Sequence, residues 1–238
     1  MKLDILAIAV HPDDAELSCS GTLIKHIKAG KKAGIIDLTR GELGTRGNGE
    51  LRVKEAEVAA KIMGLSTREN LGMADGFFEY NRANQIAIIQ MIRKYQPEIV
   101  LANAIDDRHP DHGKAAKLTK DACFLSGLRK VETELDGVVQ THWRPKQIFH
   151  YIQDRHLIPD FIVDISDEID QKMEAIMAFS SQFFNPKSTD PESPISSKEF
   201  LESVKGKNSV FGREIGAAYA EGFNTDKIVG VDDLFDLR

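Results

Sequence analysis

The 238-residue sequence has only two cysteines, Cys19 and Cys123, and a single tryptophan. Two thiols exclude a disulfide framework and any metal site built from cysteine alone. An excess of basic residues is missing too: 31 Lys and Arg stand against 37 Asp and Glu, a formal net charge of −6. Nucleic acid and anionic membrane surfaces both call for a basic face, so neither is an expected partner. No apolar run approaches the roughly 18–20 residues of a membrane span. The first run, residues 5–10, stops at His11-Pro12-Asp13-Asp14, too short and too quickly charged for a secretory leader. The expected location is cytoplasmic. No Gly-x-Gly-x-x-Gly follows that run, which speaks against a nucleotide-binding dinucleotide fold.

What is present is an ordinary soluble composition, 42% hydrophobic and 29% charged. The length suits one α/β domain over 1–238. Residues 5–10 read as a short apolar strand buried on both faces, 31–38 and 98–102 as further strands, with weaker candidates at 68–71, 147–151 and 161–165. Helical spacing marks 21–29, 50–63, 85–95, 112–128 and 167–179. Strand and helix alternate through the first 130 residues, which predicts right-handed βαβ units and a Rossmann-like, mainly parallel sheet flanked by helices. Residues 185–197 hold three prolines and read as a long exposed loop, expected to be mobile. Residues 198–220 read as a helical segment interrupted at Gly206 and Gly212.

The polar segments 11–16, 39–48 and 106–112 each follow a strand. In open parallel sheets the crevice beyond the strands' carboxyl ends holds the ligand. The topology therefore brings three distant segments to one edge. His11-Pro12-Asp13-Asp14-Ala15-Glu16 and Asp106-Asp107-Arg108-His109-Pro110-Asp111-His112 together supply three histidines and five aspartates. Neutral imidazole with carboxylate is the usual ligand set of a hydrolytic zinc. One His-Pro-Asp turn alone is ordinarily only a turn, and one Asp-Asp ordinarily starts a helix. Two such segments at equivalent strand ends have no packing role that would account for both.

Val10-His11-Pro12-Asp13-Asp14-Ala15-Glu16 with Gly21-Thr22 resembles the first signature of the LmbE/PIG-L family of zinc-dependent N-acetylglucosaminide deacetylases, and Arg108-His109-Pro110-Asp111-His112 its second. The stretch from Asp37 to Gly47, with Gly41-Glu42-Leu43-Gly44-Thr45-Arg46-Gly47, then Arg52, and Tyr219-Ala220-Glu221-Gly222-Phe223, resemble the bacillithiol-biosynthesis branch. The resemblance implies Zn²⁺ held by His11, Asp14 and His112, with other divalent metals fitting the same ligand types. It implies Asp13 as general base, and His109 backed by Asp111 as acid or oxyanion stabiliser. It implies Arg52 and Arg108 at the substrate, with Arg46 as a further candidate. In that branch the small-molecule glycoside substrate is N-acetylglucosaminyl-malate, cleaved to glucosaminyl-malate and acetate. Relatives form homo-oligomers, hexamers among them. Some relatives place a tyrosine in the stretch where this chain has Phe200, which cannot donate to an oxyanion. Other N-acetylglucosaminides, chitooligosaccharides or a mycothiol-type precursor, remain open as substrates, as does a non-catalytic metal- or sugar-binding role, which would be expected to lack Asp13.

The chemistry suits these residues. Amide hydrolysis needs an activated water and a polarised carbonyl, both of which zinc provides. Adjacent aspartates in a turn can aim one carboxylate at the metal and one at the water. Arginine pairs planar carboxylates through two hydrogen bonds, which suits malate. His26, His142, His150 and His156 read as structural or surface residues, Cys19 as a small core residue and Trp143 as packing.

Overall fold

The computed structural model describes residues 1–237. The chain runs β1 (Ile5–Ala9), α1 (Asp14–Ser18), α2 (Ser20–Lys28), β2 (Ala33–Thr39), α3 (Gly49–Met63), β3 (Thr67–Met73), α4 (Arg82–Tyr95), β4 (Ile99–Ala102) and α5 (Pro110–Ser126). A two-stranded ribbon follows, β5 (Glu134–Leu135) with β6 (Val138–Val139), then β7 (Gln147–Tyr151), β8 (Phe161–Asp164), α6 (Ile169–Met177), α7 (Lys198–Glu214) and β9 (Ala220–Asn224). One seven-stranded sheet has the order β3-β2-β1-β4-β7-β9-β8. The first five strands in that order pair in parallel; β9 runs antiparallel to both its neighbours. The mainly parallel α/β architecture expected from the sequence is the one observed.

β1 shows why its run is continuously apolar. Leu6, Ile8 and Val10 pack on one face with Ile88, Ile92 and Leu118 from α4 and α5. Ile5, Ala7 and Ala9 pack on the other with Leu23 and Ile24 from α2. A central parallel strand covered on both sides has no solvent face to alternate toward. Trp143 packs at the margin of the first cluster and donates its indole N–H to Pro97 O at 2.7 Å.

Three local readings differ from the structure. α1 begins inside the expected polar loop, at Asp14, because its polar side chains are satisfied by distant partners. α7 runs unbroken through Gly206 and Gly212; at Gly212 a Cβ would lie 2.7 Å from Ala217 O, where the chain folds back on the helix. The helix stops at Glu214, short of the expected 220, and Ala220 already opens β9, a strand whose Glu and Gly hide its pairing. Residues 184–197 contain turns but neither helix nor strand. Among the described residues, no helix is long and apolar enough to cross a membrane.

Candidate metal centre and catalytic site

β1, β2 and β4 end at the same edge of the sheet, and the three polar segments that follow them meet there. They line a cavity of about 520 Å³ with His11, Asp13, Asp14, Arg52, His109 and His112 on its wall.

The first loop is built by its own turn. The Asp14 carboxylate accepts the His11 backbone N–H at 3.0 Å, and the Asp13 carbonyl accepts Leu17 N–H at 2.9 Å as α1 starts. Between them Asp13 sits at φ +116°, a left-handed conformation that L side chains avoid. Its buried carboxylate receives Arg52 Nη2 at 2.8 Å. Burial pushes the Asp13 carboxyl up to about 7, against the pull of the Arg52 charge.

Asp14 lies between two imidazoles. Its carboxylate is 3.6 Å from His11 Nδ1 and 3.3 Å from His112 Nε2. His11 Nδ1 faces Oδ2 and His112 Nε2 faces Oδ1, each near the roughly 3.3–3.5 Å that separates donors on one zinc. The remaining nitrogen of each ring faces a carboxylate: His11 Nε2 is 3.0 Å from Asp75 Oδ1, and His112 Nδ1 is 2.5 Å from Asp107 Oδ2. A proton held on the carboxylate side leaves the inward nitrogen free to accept a metal, which is how ligating histidines are normally oriented. Asn103 Nδ2 and Gln153 Nε2 donate to the two oxygens of Asp14 at 3.0 and 2.5 Å. The donor set, its tautomers and its supporting shell fit a divalent metal. Burial opposes charge on His112, but Asp14 and Asp107 outweigh it and raise its pKa to about 9. A cation placed between these groups would relieve that pull.

His109 stands beside the pair, its ring 4.7 Å from that of His11 and 5.2 Å from that of His112. By distance it could serve as a third imidazole ligand. Its hydrogen bonding points elsewhere: Nδ1 accepts the Asp111 backbone N–H at 3.3 Å, capping α5. A neutral ring accepting at Nδ1 carries its proton on Nε2, a donor rather than a ligand.

The expected side-chain pairing of Asp111 with His109 is therefore corrected. The Asp111 carboxylate accepts Gly76 N–H at 2.8 Å and Lys114 Nζ at 3.0 Å, and lies 3.6 Å from His11 Nε2. It backs His11. His109 accordingly falls below the usual histidine pKa, lowered by burial and by the charges of His11 and His112.

The arginines separate. Arg52 is buried and engaged: besides Asp13 it donates to Pro12 O and, at 3.2 Å, to Gly41 O, so it braces Asp13 rather than presenting a free fork. Arg46, also buried, donates to Ser188 Oγ and ties the 41–48 loop to the 182–188 segment; its Nε has no partner. Arg108 is more than half exposed at the rim, paired with Asp154. Phe200 lines the cavity and stacks on Phe183.

Sequence reasoning singled out neither Asp75, Asn103 nor Gln153, and gave Asp107 no role. Each of the first three lies one or two residues beyond the carboxyl end of a sheet strand, β3, β4 and β7. Position past a parallel strand was the usable signal. Lys207 was also missed; it lines the cavity, donates to Gln153 O, and is lowered to about 8 by burial.

Comparison with known proteins adds the following. The family described as GlcNAc-PI de-N-acetylase (PIG-L) matches residues 6–123. Diacetylchitobiose deacetylase of Thermococcus kodakarensis is 29% identical over 231 residues, covering 92% of this chain and 81% of that protein. The solved structure of the conserved protein TT1542 from Thermus thermophilus is 37% identical, with a TM-score of 0.86 and 98% of each chain covered. That of N,N'-diacetylchitobiose deacetylase from Pyrococcus horikoshii, in complex with its inhibitor MPG, is 26% identical, with a TM-score of 0.77 and 97% and 88% covered.

Proposed function

The chain belongs to the GlcNAc-PI de-N-acetylase family, and from that premise we propose that it hydrolyses the N-acetyl group of an N-acetylglucosamine conjugate, using a divalent metal, zinc by donor type. The observation that carries this reading is Asp14 held between His11 Nδ1 and His112 Nε2, with a carboxylate behind each ring. His11, Asp14 and His112 would hold the metal. When bound, it supplies Lewis acidity, acidifying water and polarising the amide carbonyl.

The chain's own groups supply the proton traffic. Asp13 takes the proton of the attacking water. Burial raises this carboxyl above an ordinary aspartate in the metal-free protein, the direction a better base needs. Arg52 fixes its orientation through the 2.8 Å contact. His109, neutral, directs Nε2–H into the cavity, where it hydrogen-bonds the developing oxyanion, and the proton taken up by Asp13 passes to the leaving amine as the C–N bond breaks. Phe200 offers no hydrogen bond there, so His109 carries the donation.

For the finer substrate we propose N-acetylglucosaminyl-malate, in bacillithiol biosynthesis. Arg46 and Lys207 on the cavity wall, with Arg108 at its rim, support a carboxylate-bearing aglycone despite the net charge of −6. A second reading, diacetylchitobiose, is favoured by the two deacetylases to which the chain is similar. Acetate release from N-acetylglucosaminyl-malate, diacetylchitobiose and free N-acetylglucosamine decides between them. Preference for the malate conjugate is expected. Indifference to malate, with turnover of the disaccharide, would select the second reading. Absence of release from all three by the metal-loaded protein would defeat both.

A further inference from the structure

Two sequence features play no part in that chemistry: Gly21-Thr22 and the late Ala220-Glu221-Gly222-Phe223. The structure joins them. Glu221 projects from β9 and accepts Gly21 N–H at 2.9 Å and Thr22 N–H at 2.7 Å, two first-turn amides of α2. The residue preceding α2, Cys19, provides no side-chain cap, so Glu221 does this across 200 residues of sequence. Glu221 Oε1 also receives Lys172 Nζ at 2.6 Å. Lys172 donates its remaining protons to Glu16 O at 3.2 Å and Leu17 O at 2.9 Å, at the carboxyl end of α1. Both charged groups are almost wholly buried, and each is fully hydrogen-bonded.

α1 has five residues, too few to be stable by itself. At its start stand Asp13, in a strained conformation, and Asp14. Its side is held by Glu16, which accepts Arg68 Nη1 at 2.5 Å. Its end is held by Leu17, buried against α3 and α6, by Ser20 Oγ donating to Glu16 O at 2.6 Å, and by Lys172, which with Glu221 clamps the break between α1 and α2. Gly21 lets that break pass close to α6's approach: a Cβ there would meet the Ile165 side chain at 2.7 Å.

We propose that the buried Lys172–Glu221 pair is a positioning device that sets Asp14, and with it the metal, by fixing the far end of α1. The inference rests on the metal-centre reading above. By reciprocity, if the clamp favours the metal-competent α1, then metal must favour the clamped junction.

The test measures zinc dissociation constants by chelator competition, and the visible spectrum of the cobalt-loaded protein. E221Q replaces one accepting oxygen with a donor and leaves Lys172 without its counter-charge. It is expected to weaken zinc about tenfold and to shift the cobalt bands. F223L perturbs the same strand without touching the clamp. It is expected to lower the melting temperature while leaving zinc affinity and spectrum alone. In the parent protein, metal loading is expected to slow hydrogen exchange at the Gly21 and Thr22 amides. An E221Q protein with parental affinity and spectrum overturns the proposal, as does an equal loss of affinity in F223L. Should E221Q fail to fold, exchange in the parent decides: no metal-dependent protection at those two amides overturns it. A parent that binds no metal defeats the metal-centre reading itself, whereas a metal-binding parent with unaffected variants defeats only the clamp.

Discussion

Asp13 holds a backbone conformation at φ +116° that costs of order 1–3 kcal/mol at a non-glycine residue. Arg52 and the start of α1 hold it there. Asp13→Asn keeps the shape and removes the base. It is expected to retain stoichiometric metal by elemental analysis while deacetylation falls about 10²–10⁴-fold; turnover near the parent's would sink the base assignment. Asp75→Asn tests the other shell. It weakens the acceptor behind His11 Nε2. Zinc affinity should drop about 10–100-fold, read by chelator competition, and an unchanged constant would show that Asp75 is not what orients His11, leaving Asp111 in that role. At this scale the site was partly legible. His11, Asp13, Asp14, His109 and His112 lie in two dense motifs. Asp75, Asn103 and Gln153 stand alone among unremarkable neighbours, and only the sheet brings them to Asp14.

The loop between β2 and α3 brings Arg52 to Asp13 through a glycine. Gly41 has φ +63°, and a Cβ there would lie 1.9 Å from Arg52 Nη1. Gly41→Ala should push the guanidinium off Asp13 and lower kcat about 10²-fold, the order seen when a group is misplaced by an ångström, with the circular dichroism spectrum retained. Parental kcat would mean that Arg52 does not orient the base. Far from the site, Asn81 caps α4 by accepting Asn84 N–H at 2.9 Å. Asn81→Ala should cost about 1 kcal/mol in a denaturant titration and leave turnover unchanged. Elements with a regular apolar pattern, such as β1 and α4, were legible because their burial is what the pattern encodes. α1 and β9 were not. α1 is polar and held by tertiary bonds, and β9 owes its place to pairing with strands that lie far away in sequence.

For the molecule as a whole, acid should act through carboxylates held below their free values. Asp107 is at about 2, where bonds from His112 and from the Arg155 and Arg108 amides overcome the effect of burial. Its contribution to stability is complete above its ordinary pKa of 3.8 and is lost as pH falls from there through 2. Metal-free protein should therefore lose stability steeply between pH 4 and 2 in denaturant titrations, and Asp107→Asn should flatten that slope. A variant as steep as the parent would assign the loss to other groups.

The bond from Glu221 to Gly21 also sets an order of events in time. A ribosome adding about 5–20 residues per second releases the first helices some 10–40 s before Glu221 exists. Until then α2 lacks two of its caps, Lys172 lacks its anion, and β7 and β8 have no strand between them. The nascent chain can carry every one of its motif histidines and aspartates and still be unable to present them in register. On this account activity is switched on by completion of the sheet rather than by synthesis of the site, and fragments ending before residue 220 should be inert even with both signatures intact.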